Sequence, residues 1–162
     1  MPSRDRAYVR FFNKTNKTVE IIWLNFHGEK VRYKIIEKDD YVDVNTYKNH
    51  PWIALDVETK DRFQIDSKYV FMPKTTREYL QDRFPGREIP EEFERGRVGV
   101  YVTVPVYSLK YRAMLEVRNH LQEPEFVDQL ELPKSLAEEL RKTIEHRNSQ
   151  IQLYIQTYES DL

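Results

Sequence analysis

The spacing of apolar residues changes once along the chain, and this change limits the folds that the chain can adopt. From Tyr8 to Pro73, short runs of β-branched and aromatic residues alternate with turn residues, which is typical of strands. After Tyr107, apolar residues recur at helical intervals. The sequence therefore predicts an α+β protein, with an N-terminal β-sandwich domain over residues 1–106 and a small C-terminal helical domain over residues 107–162.

The strands predicted in the first part are short and closely spaced, which favours a sandwich or barrel over a parallel α/β sheet. They are Tyr8–Phe12, Val19–Phe26, Glu29–Ile36, Tyr41–Tyr47, Trp52–Val57, Arg62–Ile65 and Tyr69–Met72, with Val98–Val106 as a last strand. His27-Gly28 predicts a tight hairpin, because glycine tolerates the positive φ that such turns require. Residues 74–97 are charged, contain proline and lack a clear apolar period, so we expect an exposed insertion that could be mobile.

Two long helices are predicted in the second part. Ser108 can cap the first, and its apolar stripe consists of Leu109, Ala113, Val117 and Leu121, with Met114 and Leu115 on a neighbouring face. Pro124 ends this region, and Pro133 opens a second helix with Leu136, Leu140, Ile144, Ile151 and Ile155 along one side. So few helices bury little apolar surface by themselves. The stripe therefore indicates either packing on the β domain or a partner protein.

Composition excludes several classes of function. The 162 residues carry a formal net charge of -1, so no nucleic-acid partner is indicated. The absence of cysteine excludes disulfides and thiolate metal sites. The N-terminus lacks an apolar signal core and the chain lacks a long apolar run, so we expect a soluble intracellular protein without membrane contact.

Catalytic patterns are weak in this chain. His27, Glu29 and His50 formally match the two-histidine, one-carboxylate set of non-haem iron oxygenases. However, Gly28 is needed for the hairpin and the second histidine is very close in sequence. We therefore expect a non-catalytic protein without a cofactor, and keep the iron site as an alternative.

The stretch NTYKNHPW, residues 45–52, places a hydroxyl, a phenol, an imidazole and an indole close together. One interpretation is structural: Tyr47 and Trp52 are sheet aromatics, and His50 lies in the extended conformation favoured before a proline. The other is a pocket, since aromatic walls hold a flat ring while the Thr46 hydroxyl and the His50 imidazole bond an alcohol. Spacing alone does not decide between them.

A family resemblance favours the pocket. The string WLNFHGE (Trp23–Glu29), followed by Tyr33 and TYKNHPW, resembles the β domain of the von Hippel-Lindau tumour suppressor family, and VPVYSLKYR (residues 104–112) resembles the start of its α domain. The resemblance runs from about residue 3 to residue 73 and fails over residues 74–97. It implies a non-catalytic substrate-recognition subunit of a cullin-type ubiquitin ligase in the cytoplasm and nucleus. A β-sandwich interaction module without a ligase role remains an alternative.

The resemblance also implies which residues bind the family's ligand, a 4-hydroxyproline peptide of hypoxia-inducible factor alpha subunits. The implied ring and hydroxyl contacts are Trp23, Tyr33, Thr46, Tyr47, His50 and Trp52, the groove residues are Val44 and Asn45, and Arg4 is a peripheral contact. Thr46 stands where the family usually has serine, which retains the hydroxyl. Asn45 replaces a histidine and Lys34 replaces a proline, so the flanking contacts differ.

The second part resembles the family's partner-binding boxes. Ser108-Leu109, Ala113 and Val117 keep the spacing of its elongin-binding box, with Ala113 in place of the usual cysteine, a loss of packing volume without added charge. The implied contacts to elongin C, which carries elongin B, are Val104, Leu109, Arg112, Ala113, Val117, Leu130 and Leu136. Leu132, Pro133 and Leu140 resemble a cullin box, which implies a cullin and a RING subunit.

Overall fold

The computed structural model of the chain describes residues 5–159, with side chains described for residues 5–152. The chain divides into two compact units. The β unit consists of Met1–Glu58 and Arg62–Pro105, and the helical unit consists of Thr59–Asp61 and Val106–Leu162. The division thus falls one residue before the predicted boundary, and the short segment 59–61 groups with the helices.

In the described residues of the β unit, seven strands form one continuous sheet. They are β1 (Arg6–Asn13), β2 (Val19–Leu24), β3 (Lys30–Ile36), β4 (Tyr41–Tyr47), β5 (Trp52–Asp56), β6 (Arg62–Ile65) and β7 (Val98–Thr103). Their order in the sheet is β3-β2-β5-β6-β7-β1-β4, with β1 and β7 parallel and the other neighbours antiparallel. With the helices that follow, this confirms the α+β class.

The sheet encloses a main hydrophobic core, because alternate residues of its strands point to the same side. A smaller buried cluster consists of Ile22, Ile53 and Leu55 on β2 and β5. In β4, for example, Val42, Val44 and Thr46 are buried while the intervening residues are exposed. Strands from both ends of the sheet contribute to the main cluster, including Val44 of β4 and Ile36 of β3. The two edge strands, β3 and β4, both carry predicted site residues.

Two predictions for the β unit differ from the structure. Tyr69–Met72 is not a strand, because only Phe71 pairs with its neighbour, forming two hydrogen bonds with Trp52 of 2.8 and 2.9 Å. Residues 74–97 contain a helix, α1 (Thr76–Arg83), and a 3₁₀ turn (Glu91–Phe93). The α1 helix begins with a capping box, in which Thr75 accepts from the Glu78 amide and Glu78 accepts from the Thr75 amide.

The helical unit contains α2 (Leu109–Asn119), a 3₁₀ turn (Pro124–Gln129) and α3 (Lys134–Glu159). Ser108 caps α2 as predicted, accepting from the Tyr111 amide at 3.1 Å. At the other end of α2, Arg147 donates to the carbonyls of Arg118 and Leu121, both at 2.8 Å. These bonds satisfy acceptors that a helix end leaves open. The unit's core is small, since Val127, Leu140 and Ile144 are its only buried apolar residues in the described part.

Within residues 5–159, no helix combines the length and the apolar character that crossing a membrane requires.

Candidate functional site

The predicted pocket residues lie around a tight turn between β4 and β5. The His50 amide donates to the Tyr47 carbonyl at 3.2 Å, and Asn49 has a φ of 63°. Asparagine tolerates this left-handed conformation better than most residues, which explains the Lys48-Asn49 pair at the turn. The turn places Thr46, the last buried residue of β4, and His50 on its two flanks.

Thr46 and Trp52 form the buried part of the site. Thr46 is 6% exposed and Trp52 is 3% exposed. The indole nitrogen Nε1 of Trp52 donates to Thr46 Oγ1 at 3.3 Å. Because the Thr46 oxygen accepts this bond, its hydroxyl hydrogen is free to point elsewhere, and no acceptor for it lies in the described part of the chain. Both residues therefore form a floor and not, as the sequence suggested for Trp52, an open wall.

His50 lies in an aromatic group above this floor. Its ring stacks on Trp23 with centroids 5.5 Å apart and planes at 19°. Tyr47 and Phe26 contact the same imidazole edge-on, each at 5.3 Å. Trp23 pairs with Trp52 across β2 and β5, which connects this group to the floor.

Tyr33 reaches the site because of a bulge in β3. Ile21 pairs with Lys34 and Ile22 pairs with Arg32, so Tyr33 is the extra residue between them. A bulge of this kind redirects a side chain. The Tyr33 ring, 49% exposed, contacts Trp52 edge-on at 5.4 Å.

Several polar atoms at the site lack partners in the described part of the chain. Neither ring nitrogen of His50 has a hydrogen bond there, and Nε1 of Trp23 is buried without one. Burial lowers the pKa of His50 below its ordinary value. At neutral pH the imidazole is therefore uncharged, with one nitrogen that can accept a hydrogen bond.

The site's residues coincide with a known domain. Residues 1–79 match the family model described as the VHL beta domain. This part of the chain is therefore similar to the VHL beta domain. A relative in Drosophila melanogaster, Protein Vhl, is 27% identical over 105 residues, which cover 64% of this chain and 56% of that protein. The matched region thus spans little more than half of the fly protein's length.

Three further residues implied by the VHL resemblance have different positions. Val44 is fully buried in the core, so its side chain does not line a surface groove; alternation along β4 places it on the same face as Thr46. Asn45 is exposed, and its Oδ1 accepts from Arg97 at 2.8 Å. Arg4 lies outside the described residues.

The residues of the alternative iron site are not brought together. Within the described residues, no three histidine, cysteine, aspartate or glutamate side chains form a metal-binding group. Glu29 instead accepts from Asn25 at 2.6 Å, which helps to close the hairpin whose Gly28 has the predicted positive φ, 77°. His50 is instead enclosed by the rings of Trp23, Phe26 and Tyr47.

In the helical unit, the predicted elongin stripe lies on the exposed side of α2. Leu109 is 85% exposed and Val117 is 40% exposed, and Ala113 and Arg112 are exposed as well. Leu121 does not continue this stripe, because α2 ends at Asn119 and Leu121 packs against the core with Met114. Leu109, Ala113 and Val117 thus form an apolar strip that the helical unit itself leaves uncovered.

Two of the other implied partner contacts belong to the unit's own core. Leu140, implied in cullin binding, is 2% exposed and packs on Val127 and Ile144, so it is not available at the surface. Leu130, implied in elongin binding, is partly buried against the same cluster. The remaining implied contacts are accessible: Leu136 is half-buried, whereas Leu132, Pro133 and, in the β unit, Val104 are exposed.

Sequence reasoning missed one aromatic residue of the site. Phe26 is 68% exposed, yet it packs on His50 and lies 6.5 Å from Trp23. An exposed phenylalanine beside the hairpin glycine is an unusual choice for a solvated turn. That signal was available in the string WLNFHG.

Proposed function

We propose that this protein is the substrate-recognition subunit of a cullin-type ubiquitin ligase, and that its β unit binds 4-hydroxyproline in hypoxia-inducible factor alpha subunits. The similarity of residues 1–79 to the VHL beta domain supports this proposal. The protein performs no chemistry in this account. It distinguishes a hydroxylated proline from a plain one and presents the partner for ubiquitination and proteasomal degradation.

The observation that carries the proposal is the hydrogen-bond direction at Thr46. Since Trp52 donates to Thr46 Oγ1, the Thr46 hydroxyl is left as a donor, while the uncharged His50 supplies an acceptor. An alcohol between them would accept from Thr46 and donate to His50. This matches the hydroxyl of 4-hydroxyproline, which is both donor and acceptor. Trp23, Tyr33 and Tyr47 supply the apolar surface for the ring.

The preference follows from the groups that a plain proline leaves unpaired. Binding displaces water from the Thr46 hydroxyl and the His50 nitrogen, and an unmodified ring provides no replacement. Each group left buried without a partner costs roughly 1 to 3 kcal/mol. Together they correspond to about one to four powers of ten in affinity.

The exposed edge of β4 offers a place for the flanking peptide, since an edge strand can pair with an extended segment. The uncovered strip on α2 supports the second half of the proposal, in which Leu109, Ala113 and Val117 bind elongin C together with elongin B. A cullin and a RING subunit complete the proposed assembly, with Leu132 and Pro133 as the accessible candidates for the cullin contact.

The test is a pair of titrations on the full chain co-expressed with elongins B and C. Two versions of one peptide from a hypoxia-inducible factor alpha subunit are compared, identical except for the hydroxyl on one proline. We expect the hydroxylated version to bind at least about tenfold more tightly. Equal affinities would overturn the hydroxyproline site.

The low pKa of His50 predicts how this preference depends on pH. The acceptor nitrogen exists only in the uncharged imidazole, whose pKa lies below the ordinary value of about 6.5. The affinity for hydroxylated peptide should therefore be constant from about pH 8 down to the lowered pKa of His50. Below that pKa it should decline by up to about tenfold per pH unit. Isothermal titration across this range measures it, with the plain peptide as the control. A preference that stays unchanged in acid would show that His50 does not accept the bond.

A further inference from the structure

Residues 74–97, which lie mostly beyond the VHL match, contact the site turn directly. Lys48, inside the turn, forms an ion pair with Glu78 of α1. The Asn49 amide donates to the Pro73 carbonyl at 3.0 Å. The turn that presents His50 is thus held from outside by the chain segment leading into α1.

Glu78 is well placed to hold the turn because it is itself fixed. One of its carboxylate oxygens, Oε2, accepts from the amide of Thr75 at 3.1 Å and from the Thr75 hydroxyl at 3.2 Å. The other, Oε1, contacts Lys48. The hydrogen bond from Lys48 is the main reason that the pKa of Glu78 is lowered. A carboxylate with both oxygens engaged has little freedom, so its contact transmits the position of α1 to Lys48.

The α1 helix is in turn anchored to the rest of the β unit. Thr76, 4% exposed, donates to the Gly96 carbonyl at 2.7 Å, which joins the two ends of the segment. Tyr79 packs against the main core. Beyond Gly96, Arg97 donates to Asn45 on β4. The chain therefore contacts the turn just before α1, through Pro73, and strand β4 after it, through Arg97.

We propose that the Lys48–Glu78 pair is a brace by which α1 holds the 47–50 turn in the geometry that the hydroxyl contact requires, which makes Glu78 a positioning residue for His50. This inference rests on the proposed function. It assigns to residues 74–97 the role of ordering the binding site before the peptide arrives, which reduces the ordering that binding itself must supply.

The test uses variants that separate the ion pair from the helix. Glu78→Gln removes the charge but keeps the capping box, since glutamine also accepts at this position. Lys48→Met removes the other partner. Arg77→Gln is the matched control, because Arg77 lies on the same helix and pairs with Glu94 instead of the turn.

The first measurement needs no peptide: amide hydrogen exchange at Asn49 and His50 in the full chain. We expect exchange to be about three- to tenfold faster in Glu78→Gln and in Lys48→Met, and no faster in the double variant than in either single one. Arg77→Gln should match the parent. Unchanged exchange, or effects that simply add in the double variant, would overturn the brace.

The second measurement is the ratio of affinities for hydroxylated and plain peptide. A displaced His50 weakens only the hydroxyl contact, so the ratio should fall by about three- to tenfold in both single variants and not in Arg77→Gln. A direct effect of charge on the peptide would change both affinities equally and leave the ratio constant, which would overturn the positioning role. If the parent protein showed no preference, the proposed function would fail while the exchange experiment still decided whether the brace exists.

Discussion

Replacing Thr46 with valine is expected to remove most of the preference for hydroxylated peptide. Valine keeps the shape of the side chain but cannot donate to the ligand oxygen. Affinity for the hydroxylated peptide should fall by about 10- to 100-fold, the cost of one unpaired buried acceptor. Affinity for the plain peptide should rise by up to about the same factor, because valine has no hydroxyl for that peptide to leave buried and unpaired. Parallel titrations with the two peptides measure both effects.

Thr46→Ser is the matched control for this experiment. Serine retains the hydroxyl and loses only a methyl group, so the preference should persist. The valine variant also leaves the indole N–H of Trp52 without its acceptor, a bond that is long at 3.3 Å. We expect about 1 kcal/mol of lost stability from this, too little to unfold the domain. If the valine variant discriminated between the peptides as well as the serine variant does, Thr46 would not be the donor.

Local signals in the sequence predicted most of the β unit. Tyr41–Tyr47 and Arg62–Ile65 were predicted with their observed bounds, because alternation and β-branched residues are properties of the strand itself. The strand predicted at Tyr69–Met72 is wrong, because Phe71 is the one residue of this run that pairs, with Trp52. Whether a short apolar run becomes a strand depends on a neighbour that composition does not specify.

The helix in residues 74–97 was missed for a different reason. Its residues have no strong apolar stripe, so periodicity gave no signal. The capping sequence Thr75-Thr76-Arg77-Glu78 was nevertheless present and marks a helix start. The local signal for this helix is therefore its capping sequence and not an apolar period.

Contacts that are distant in sequence account for what could not be predicted at the site. Glu78 meets Lys48 across 30 residues, and Arg97 meets Asn45 across 52. The bulge that directs Tyr33 towards Trp52 depends on pairing register, which a single strand does not encode. The stretch NTYKNHPW contains several of the pocket side chains, but the sequence does not show that Trp52 hydrogen-bonds to Thr46.

The helical unit shows the limit of periodicity most clearly. Leu109 and Leu140 both lie on apolar helical stripes, yet Leu109 is 85% exposed and Leu140 is 2% exposed. An apolar stripe indicates a buried face, but it does not show whether that face packs within the chain or against a partner protein. The buried cluster around Leu140 is the unit's own core, whereas the strip on α2 has no cover from this unit. A substitution at Leu109 therefore tests partner binding more directly than one at Leu140, which would also disturb the core of the unit.

Leu109→Asp is therefore expected to abolish capture of elongin C without unfolding the helical unit. Leu109 contributes little to the unit's core, and as the first residue of α2, after the Ser108 cap, an aspartate there is favoured by the helix dipole. In an interface, the loss of leucine removes about 1.5 to 3 kcal/mol and a buried unpaired carboxylate adds several more, which together exceed about a thousandfold in affinity. Co-purification with elongins B and C measures the loss. Phe126→Asp, at an apolar residue 43% exposed in the same unit but outside the strip, should leave capture intact. The thermal transition of the Leu109 variant should match that of the parent, which shows that the unit still folds. Retained capture would then argue directly against the strip as the elongin C surface. The β unit would remain an interaction module without a ligase role.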